Sequence, residues 1–165
     1  MLQPYHGTVP SAVFFVGGKQ FILTMTLEAI SAMLDSESEP RKKRMRILIV
    51  DNQVRARQSL LALLNAQQNI EEIREAVNGK QAIAVAEEFK PDLIVMDVRM
   101  PVLNGLEATK IVKQHWPASK IVLLSMYTEY ESDALAAGAD AFISKTDSPH
   151  KLIVTINDLM RRGAH

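Results

Sequence analysis

The stretch LIVMDVRMPVLNG, residues 93–105, decides how this sequence is interpreted. It begins with four apolar residues, Leu93 to Met96, which is the pattern of a short strand covered on both faces. Asp97 follows at the predicted carboxyl end of that strand, and Gly105 begins a segment with helical periodicity. The succession of strand, polar loop and helix is the repeating unit of a parallel α/β sheet.

The same alternation continues on both sides of this stretch, from Arg46 to Arg162. The predicted strands are Ile47–Val50, Ile70–Ala76, Leu93–Met96, Ile121–Leu124 and Ala141–Ser144. The predicted helices are Val54–Gln67, Gly79–Phe89, Gly105–Trp116, Glu129–Ala137 and Ser148–Arg162. Five such units predict a parallel five-stranded sheet with helices on both faces.

Residues 1–45 do not follow this pattern. Two apolar runs, residues 12–16 and 19–23, flank the pair Gly17-Gly18, which favours a two-residue hairpin turn. A short amphipathic helix and a polar, basic linker containing Pro40 are predicted to follow. We therefore expect an N-terminal extension at 1–45 and one domain at 46–165. The apolar surface of the extension has to be buried against the domain or against a second copy, which leaves a homodimer open.

Composition excludes several classes of function. Lysine plus arginine and aspartate plus glutamate both number 19, so the chain has no overall attraction for nucleic acid. There is no cysteine for a disulfide or a thiolate metal site, and the four histidines lack metal-binding spacing. Glycine and charged residues interrupt the apolar segment 12–34, so we expect no membrane span and a cytoplasmic location. Only three residues follow the last predicted helix, so we expect no direct DNA binding by this polypeptide.

Polar residues stand at the carboxyl ends of four predicted strands, where ligands of open parallel sheets gather. They are Asp51 and Asn52, Asp97, Ser125 and Lys145. If the first and third strands are neighbours, two carboxylates meet, and a lysine and a divalent cation such as Mg²⁺ would offset their repulsion. The arrangement suits phosphoryl transfer, with Asp97 as nucleophile, Lys145 neutralising charge and Ser125 binding a phosphoryl oxygen.

At these residues the chain resembles the response-regulator receiver family, over about residues 46–162. The resemblance is carried by Asp97-Val98-Arg99-Met100-Pro101 and Gly105, with Asp51, Ser125 and Lys145 in the matching order. It implies a flavodoxin-like (βα)5 three-layer sandwich with sheet order 2-1-3-4-5. It also implies Mg²⁺ as cofactor, a sensor histidine kinase as phosphodonor and no enzymatic activity beyond the domain's own phosphorylation and dephosphorylation.

The resemblance further implies a switch and a metal-ligand set. On phosphorylation Ser125 would move toward the phosphate and Phe142 would turn inward, which changes the surface of the fourth helix, fifth strand and fifth helix for a downstream effector. Asp51, Asn52, Asp97 and the backbone carbonyl of Arg99 occupy the metal-ligand positions.

Two departures leave alternatives open. Receivers usually carry a second acidic residue where this chain has Asn52, so Mg²⁺ affinity is expected to be weakened, and a phosphorylation-independent interaction module is a competing hypothesis. We also predict that the Arg99 guanidinium pairs with Asp51 or Asp97 in the resting state. A metal-dependent phosphohydrolase is a weaker third option, because no separate general acid is apparent.

Overall fold

The computed structural model describes the strands at 12–16 and 19–23 and all residues from 44 to 162. The chain divides into two compact units, residues 1–42 and 43–165. In the first unit, β1 (Ala12–Val16) and β2 (Lys19–Leu23) pair as an antiparallel two-stranded sheet, with Val16 opposite Lys19. The predicted Gly17-Gly18 turn, the helix predicted to follow β2 and most of the predicted linker lie outside the described residues.

The second unit is built on a five-stranded parallel sheet. Its strands are β3 (Met45–Val50), β4 (Ile70–Ala76), β5 (Leu93–Asp97), β6 (Lys120–Ser125) and β7 (Ala141–Ser144). They are ordered β4-β3-β5-β6-β7, and every neighbouring pair is parallel. Counted from β3 as the first strand, this is the predicted order 2-1-3-4-5, so the flavodoxin-like fold is confirmed.

Five helices connect and follow these strands. They are α1 (Val54–Asn65), α2 (Gly79–Phe89), α3 (Gly105–His115), α4 (Glu131–Ala136) and α5 (Pro149–Arg162). All five predicted helices are present, and their observed ends lie within two residues of the predicted ones. The start of α4 is later than predicted because Thr128–Tyr130 forms a separate 3₁₀ turn before it. Among the described residues, no helix combines the length and the apolar character needed to cross a membrane.

Two separate core layers hold the helices onto the sheet. Alternate residues of a strand point to opposite faces, so Leu48 and Val50 of β3 pack with α2, α3 and α4, while Ile47 and Ile49 pack with α1 and α5. All four side chains are fully buried. The three-layer arrangement leaves the carboxyl ends of the strands as the place where polar side chains meet.

The loop between β5 and α3 is pinned by close backbone contacts. A Cβ atom at Gly105 would lie 2.2 Å from the carbonyl oxygen of Asp97, so only glycine allows α3 to begin this close to the end of β5. Val102 has a φ of 71°, and the Leu103 N–H donates to the Pro101 carbonyl at 2.9 Å. A β-branched residue rarely adopts a positive φ, so this turn is strained.

The strand β4 forms one edge of the sheet, with β3 as its only neighbour. Four of its seven residues are charged: Glu71, Glu72, Arg74 and Glu75. Charged side chains are a common protection for an open sheet edge.

Candidate functional site

The carboxyl ends of β3, β5 and β7 bring Asp51, Asp97 and Lys145 together. The Lys145 Nζ lies 2.7 Å from Asp51 Oδ2 and 2.6 Å from Asp97 Oδ1. Both aspartates are buried, with 1% and 7% of their surface exposed. One ammonium group therefore bridges two buried carboxylates, because β3 and β5 are adjacent in the sheet and Lys145 immediately follows β7.

The charges of this cluster do not balance, since two carboxylates share one ammonium. Burial raises the pKa of Asp97, and the repulsion from Asp51 adds to it, while hydrogen bonds from Lys145 and the Arg99 backbone only partly offset the rise. Burial alone would lower the pKa of Lys145, but hydrogen bonds to Asp51 and Asp97 raise it above its ordinary value. The lysine therefore stays charged, and its single positive charge is shared by two carboxyl groups.

Every polar group of Asp51 has a partner. Its N–H donates to the Ala76 carbonyl at 3.2 Å, and its Oδ1 accepts from the Gln53 N–H at 2.8 Å. Its carbonyl accepts from the Arg57 Nη1 at 2.8 Å. Sequence reasoning missed Arg57, because its partner is a backbone atom six residues earlier and no side-chain motif signals such a contact.

Ser125 ends β6 next to the predicted phosphoacceptor. In the pairing of β5 with β6, Asp97 lies opposite Leu124, and Ser125 is the following residue. Its Oγ is buried and accepts from the Tyr127 N–H at 3.0 Å, while its carbonyl accepts from the Lys145 N–H at 2.7 Å. Phe142, the other predicted switch residue, is half-buried and packs against the core on the α2 and α3 face.

The predicted pairing of the Arg99 guanidinium with Asp51 or Asp97 is wrong. The ion pairs of these carboxylates are made by Lys145. The Arg99 guanidinium carbon lies instead 4.9 Å from the centroid of the Tyr127 ring, which is 45% exposed. A guanidinium over an aromatic face keeps much of its hydration, whereas pairing with a buried carboxylate would remove it.

The donor atoms at the carboxyl ends of β3 and β5 suit a hard divalent cation. Asp51 and Asp97 offer carboxylate oxygens, and their excess negative charge favours a cation. Asn52 is exposed beside them and supplies at most a neutral amide oxygen. Within residues 44–162 no cluster of three acidic or histidine ligands forms. Mg²⁺ commonly binds through one or two carboxylates and retained waters, so the residues present fit this ion without a third carboxylate.

The fold, together with the carboxylates at the carboxyl ends of β3 and β5, defines a flavodoxin-like domain of the kind used in signalling. Residues 47–157 match the family model described as "Response regulator receiver domain". The chain belongs to this family, and it is a receiver domain of two-component signalling.

Curated relatives and solved structures agree with this assignment. The chain is 38% identical over 113 residues to the uncharacterized transcriptional regulatory protein YhcZ of Bacillus subtilis (strain 168), covering 67% of this chain and 53% of that protein. It is 40% identical over 106 residues to the response regulator protein VraR of Staphylococcus aureus (strain NCTC 8325 / PS 47), covering 63% of this chain and 51% of that protein. A LuxR-family two-component response regulator from Aurantimonas sp. SI85-9A1 superposes with a TM-score of 0.68 at 26% identity, over 72% of this chain and 86% of that one. The chain spans about half the length of the curated relatives it matches.

Proposed function

We propose that this domain accepts a phosphoryl group on Asp97 from a sensor histidine kinase and passes the signal on through a changed surface. The observation that supports this is the Lys145 ammonium group held between the buried carboxylates of Asp51 and Asp97. A buried nucleophilic carboxylate beside a cation at the carboxyl edge of the sheet is the arrangement that phosphoryl transfer needs.

In the proposed reaction an Asp97 carboxylate oxygen attacks phosphorus, forming the O–P bond of an acyl phosphate. The P–N bond of the donor phosphohistidine breaks, and the imidazole leaves and takes up a proton. The Lys145 ammonium offsets the charge on the transferred group. The Ser125 hydroxyl accepts one hydrogen bond and still has its own hydrogen to donate to a phosphoryl oxygen.

Mg²⁺ would be held by the carboxylates of Asp51 and Asp97, the Arg99 backbone carbonyl and the Asn52 side chain. When bound, it would neutralise charge on the phosphoryl oxygens. Hydrolysis of the acyl phosphate by water would reset the domain, so its catalysis is limited to its own phosphorylation and dephosphorylation.

The proposed switch links Ser125 to the face formed by α4, β7 and α5. Movement of Ser125 toward the phosphate would break its contact with the Tyr127 N–H and shift the 3₁₀ turn at Thr128–Tyr130. The half-buried ring of Phe142 would then turn inward. Without a hydroxyl group, Phe142 would act through packing alone.

The names of the relatives support a proposal for the partners of the domain. Two relatives carry the words "transcriptional regulatory protein" in their names. We place this domain, in the cytoplasm, upstream of an effector that controls transcription, with DNA contact made by the effector. The chain's equal numbers of acidic and basic residues agree with this division.

Incubation with acetyl phosphate and Mg²⁺, followed by intact-mass measurement, tests the proposal. We expect the wild type to gain the mass of one phosphoryl group and Asp97→Asn to gain none. Asp158→Asn, which changes a carboxylate on α5, should gain it like the wild type. Absence of the gain in the wild type, or its persistence in Asp97→Asn, would contradict the proposal.

Asn52 favours a second function, in which the domain binds its partner without phosphate. The residue is exposed and neutral at a position where a carboxylate would strengthen cation binding. The mass measurement separates the two functions, since an interaction module gains no phosphoryl group and binds its partner equally well after Asp97→Asn.

A further inference from the structure

Arg57 lies in the first turn of α1 and reaches back across the loop at residues 51–53. Its Nη1 donates to the Asp51 carbonyl at 2.8 Å, and its Nε lies 3.7 Å from Glu75 Oε1 near the end of β4. Only 12% of the Arg57 side chain is exposed, against 40% for Glu75. A partly buried guanidinium thus connects the start of α1, the end of β3 and the end of β4.

This contact fixes the peptide plane between Asp51 and Asn52. The carbonyl of Asp51 and the N–H of Asn52 share one rigid plane, so holding the carbonyl also holds the direction in which the chain enters Asn52. The Asp51 carboxylate is fixed separately by the Gln53 N–H and by Lys145. Arg57 therefore acts on the backbone that carries both of the proposed cation ligands on this loop.

The environment of Arg57 is poorly suited to a role in stability alone. Its Nε is buried and has no hydrogen-bond partner among the described residues, because the Glu75 oxygen lies beyond hydrogen-bond distance. Burying a charged group with an unsatisfied donor is unfavourable for folding. The role of Arg57 is therefore better explained by the backbone that it positions than by stability.

We propose that Arg57 is a positioning residue that sets the affinity of the site for its divalent cation, acting through the Asp51–Asn52 peptide. The inference rests on the proposed function, because it assumes that the Asp51 carboxylate is a cation ligand. Groups that orient metal ligands without touching the metal commonly change its affinity by about 10- to 100-fold.

Arg46 offers a matched control at the opposite end of β3. Its Nη1 donates to the Phe89 carbonyl at 3.0 Å, and its Nε lies 3.7 Å from Asp92 Oδ2. It makes the same two kinds of contact as Arg57, far from the carboxyl edge of the sheet. Loss of either arginine removes one hydrogen bond to a backbone carbonyl and one ion pair, but only loss of Arg57 should change cation binding.

The test is a calorimetric titration of Mg²⁺ into the wild type, Arg57→Met and Arg46→Met without phosphodonor, with thermal unfolding of each. We expect Arg57→Met to weaken Mg²⁺ binding by about tenfold or more, and Arg46→Met to bind as the wild type does. Arg57→Met should recover its phosphorylation by acetyl phosphate when Mg²⁺ is raised to saturation. Unchanged Mg²⁺ affinity in Arg57→Met would overturn the inference.

A second variant keeps the test decisive if Arg57→Met does not fold. Arg57→Lys retains the positive charge but cannot contact the Asp51 carbonyl and Glu75 together through a planar group. Arg57→Lys should bind Mg²⁺ more weakly than the wild type but more tightly than a variant that lacks both contacts of Arg57. An unchanged affinity would again overturn the inference. If the wild type binds Mg²⁺ yet gains no phosphoryl group, the proposed function fails while the role of Arg57 is still decided by the titration.

Discussion

Asp97 combines two properties that oppose each other within one side chain. Burial raises its pKa, which makes the carboxylate a more basic nucleophile, while Lys145 helps to keep it ionised at neutral pH. A carboxylate that titrates at a higher pH in the folded protein than in the unfolded chain makes folding less favourable wherever it is charged. The proposed phosphoacceptor should therefore reduce stability at neutral pH.

We predict that Asp97→Asn raises the melting temperature by a few degrees at neutral pH. The neutral amide no longer has to be desolvated as an anion beside Asp51. The gain should be absent at pH values below the ordinary pKa of aspartate, where both states are protonated, and should reach its full size above the raised pKa. Calorimetric melting across this range checks the prediction, and a variant less stable than the wild type at neutral pH would contradict it.

Asn52 is predicted to limit cation affinity. Asn52→Asp adds a carboxylate to the exposed side of the site, and we expect Mg²⁺ binding to tighten by about tenfold, which corresponds to roughly 1.4 kcal/mol. Asn65→Asp makes the same chemical change at the other end of α1 and should leave the affinity unchanged. Titration of both variants measures the difference, and equal affinities would show that Asn52 is not close enough to take part.

Sequence reasoning was most successful for residues whose position follows from strand ends. Asp51, Asp97, Ser125 and Lys145 could be placed together because the carboxyl ends of parallel strands share one edge. Arg99 could not be placed, since the direction of a long side chain depends on Tyr127, which is distant in sequence.

At the scale of elements, the start of α3 packs directly against the end of β5 at Gly105. We predict that Gly105→Ala costs about 1–3 kcal/mol of stability, because its Cβ would collide with the Asp97 carbonyl. The collision should also displace Asp97 and slow its phosphorylation. Gly79→Ala is the control, since its Cβ would meet the Leu103 carbonyl at 2.6 Å, in the same loop but away from Asp97. Denaturant unfolding and the mass measurement together should show stability lost in both variants and phosphorylation slowed in Gly105→Ala alone.

A second contact, centred on Asp140, connects α3 with β6 and the start of β7 at the opposite end of the sheet. Asp140 accepts hydrogen bonds from the Lys113 Nζ at 2.6 Å, the Ile121 N–H at 2.8 Å and the Lys120 Nζ at 3.1 Å. Burial alone would raise the pKa of Asp140, but these three donors lower it. Its contribution to stability is therefore complete above the ordinary pKa of aspartate and is lost as the pH falls through the lowered value.

We predict that Asp140→Asn lowers the free energy of unfolding at neutral pH by about 2 kcal/mol, because two lysines lose their shared counter-charge. The difference from the wild type should shrink in acid, as for Asp97→Asn, but its sign is opposite, because Asp140→Asn lowers stability and Asp97→Asn raises it. Asp158→Asn, on the partly exposed face of α5, should have little effect at any pH. Urea unfolding of the wild type, Asp140→Asn and Asp158→Asn at several pH values checks this. A difference between Asp140→Asn and the wild type that persists in acid would contradict the prediction.

Hydrophobic patterning predicted the five strands and five helices of the five-stranded unit in their order along the chain, because each strand and helix buries its own apolar face. Their ends were less predictable. Asp97 belongs to β5 because its backbone still pairs with Leu124, and no feature of an aspartate in sequence indicates such pairing. The 3₁₀ turn before α4 depends on backbone geometry in the same way.

At the scale of the whole molecule, the second compact unit has the features of an independent domain. Both core clusters are built from residues between 45 and 160. The start of β3 is fixed by the Met45 N–H, which donates to the Asn69 carbonyl at 2.8 Å. We predict that residues 44–165, produced alone, unfold in one cooperative transition and bind Mg²⁺ as the whole chain does. Calorimetry and titration check this, and a fragment without a cooperative transition would contradict it.

Light scattering on the same two proteins addresses the N-terminal extension. If residues 1–43 hold two copies together, the whole chain should have twice the expected monomer mass and the fragment should not. An equal number of subunits in both would remove the extension as a dimerisation element.

The charged edge strand β4 has a consequence for how copies of this domain meet in a crowded solution. A second molecule that lined up along Glu71, Glu72 and Glu75 would bring like charges together, so growth of the sheet through the β4 edge is unfavourable. The β4 edge should therefore not take part in fibre formation at high concentration. Contacts between copies that serve signalling are then left to other surfaces, such as the proposed switch face of α4, β7 and α5.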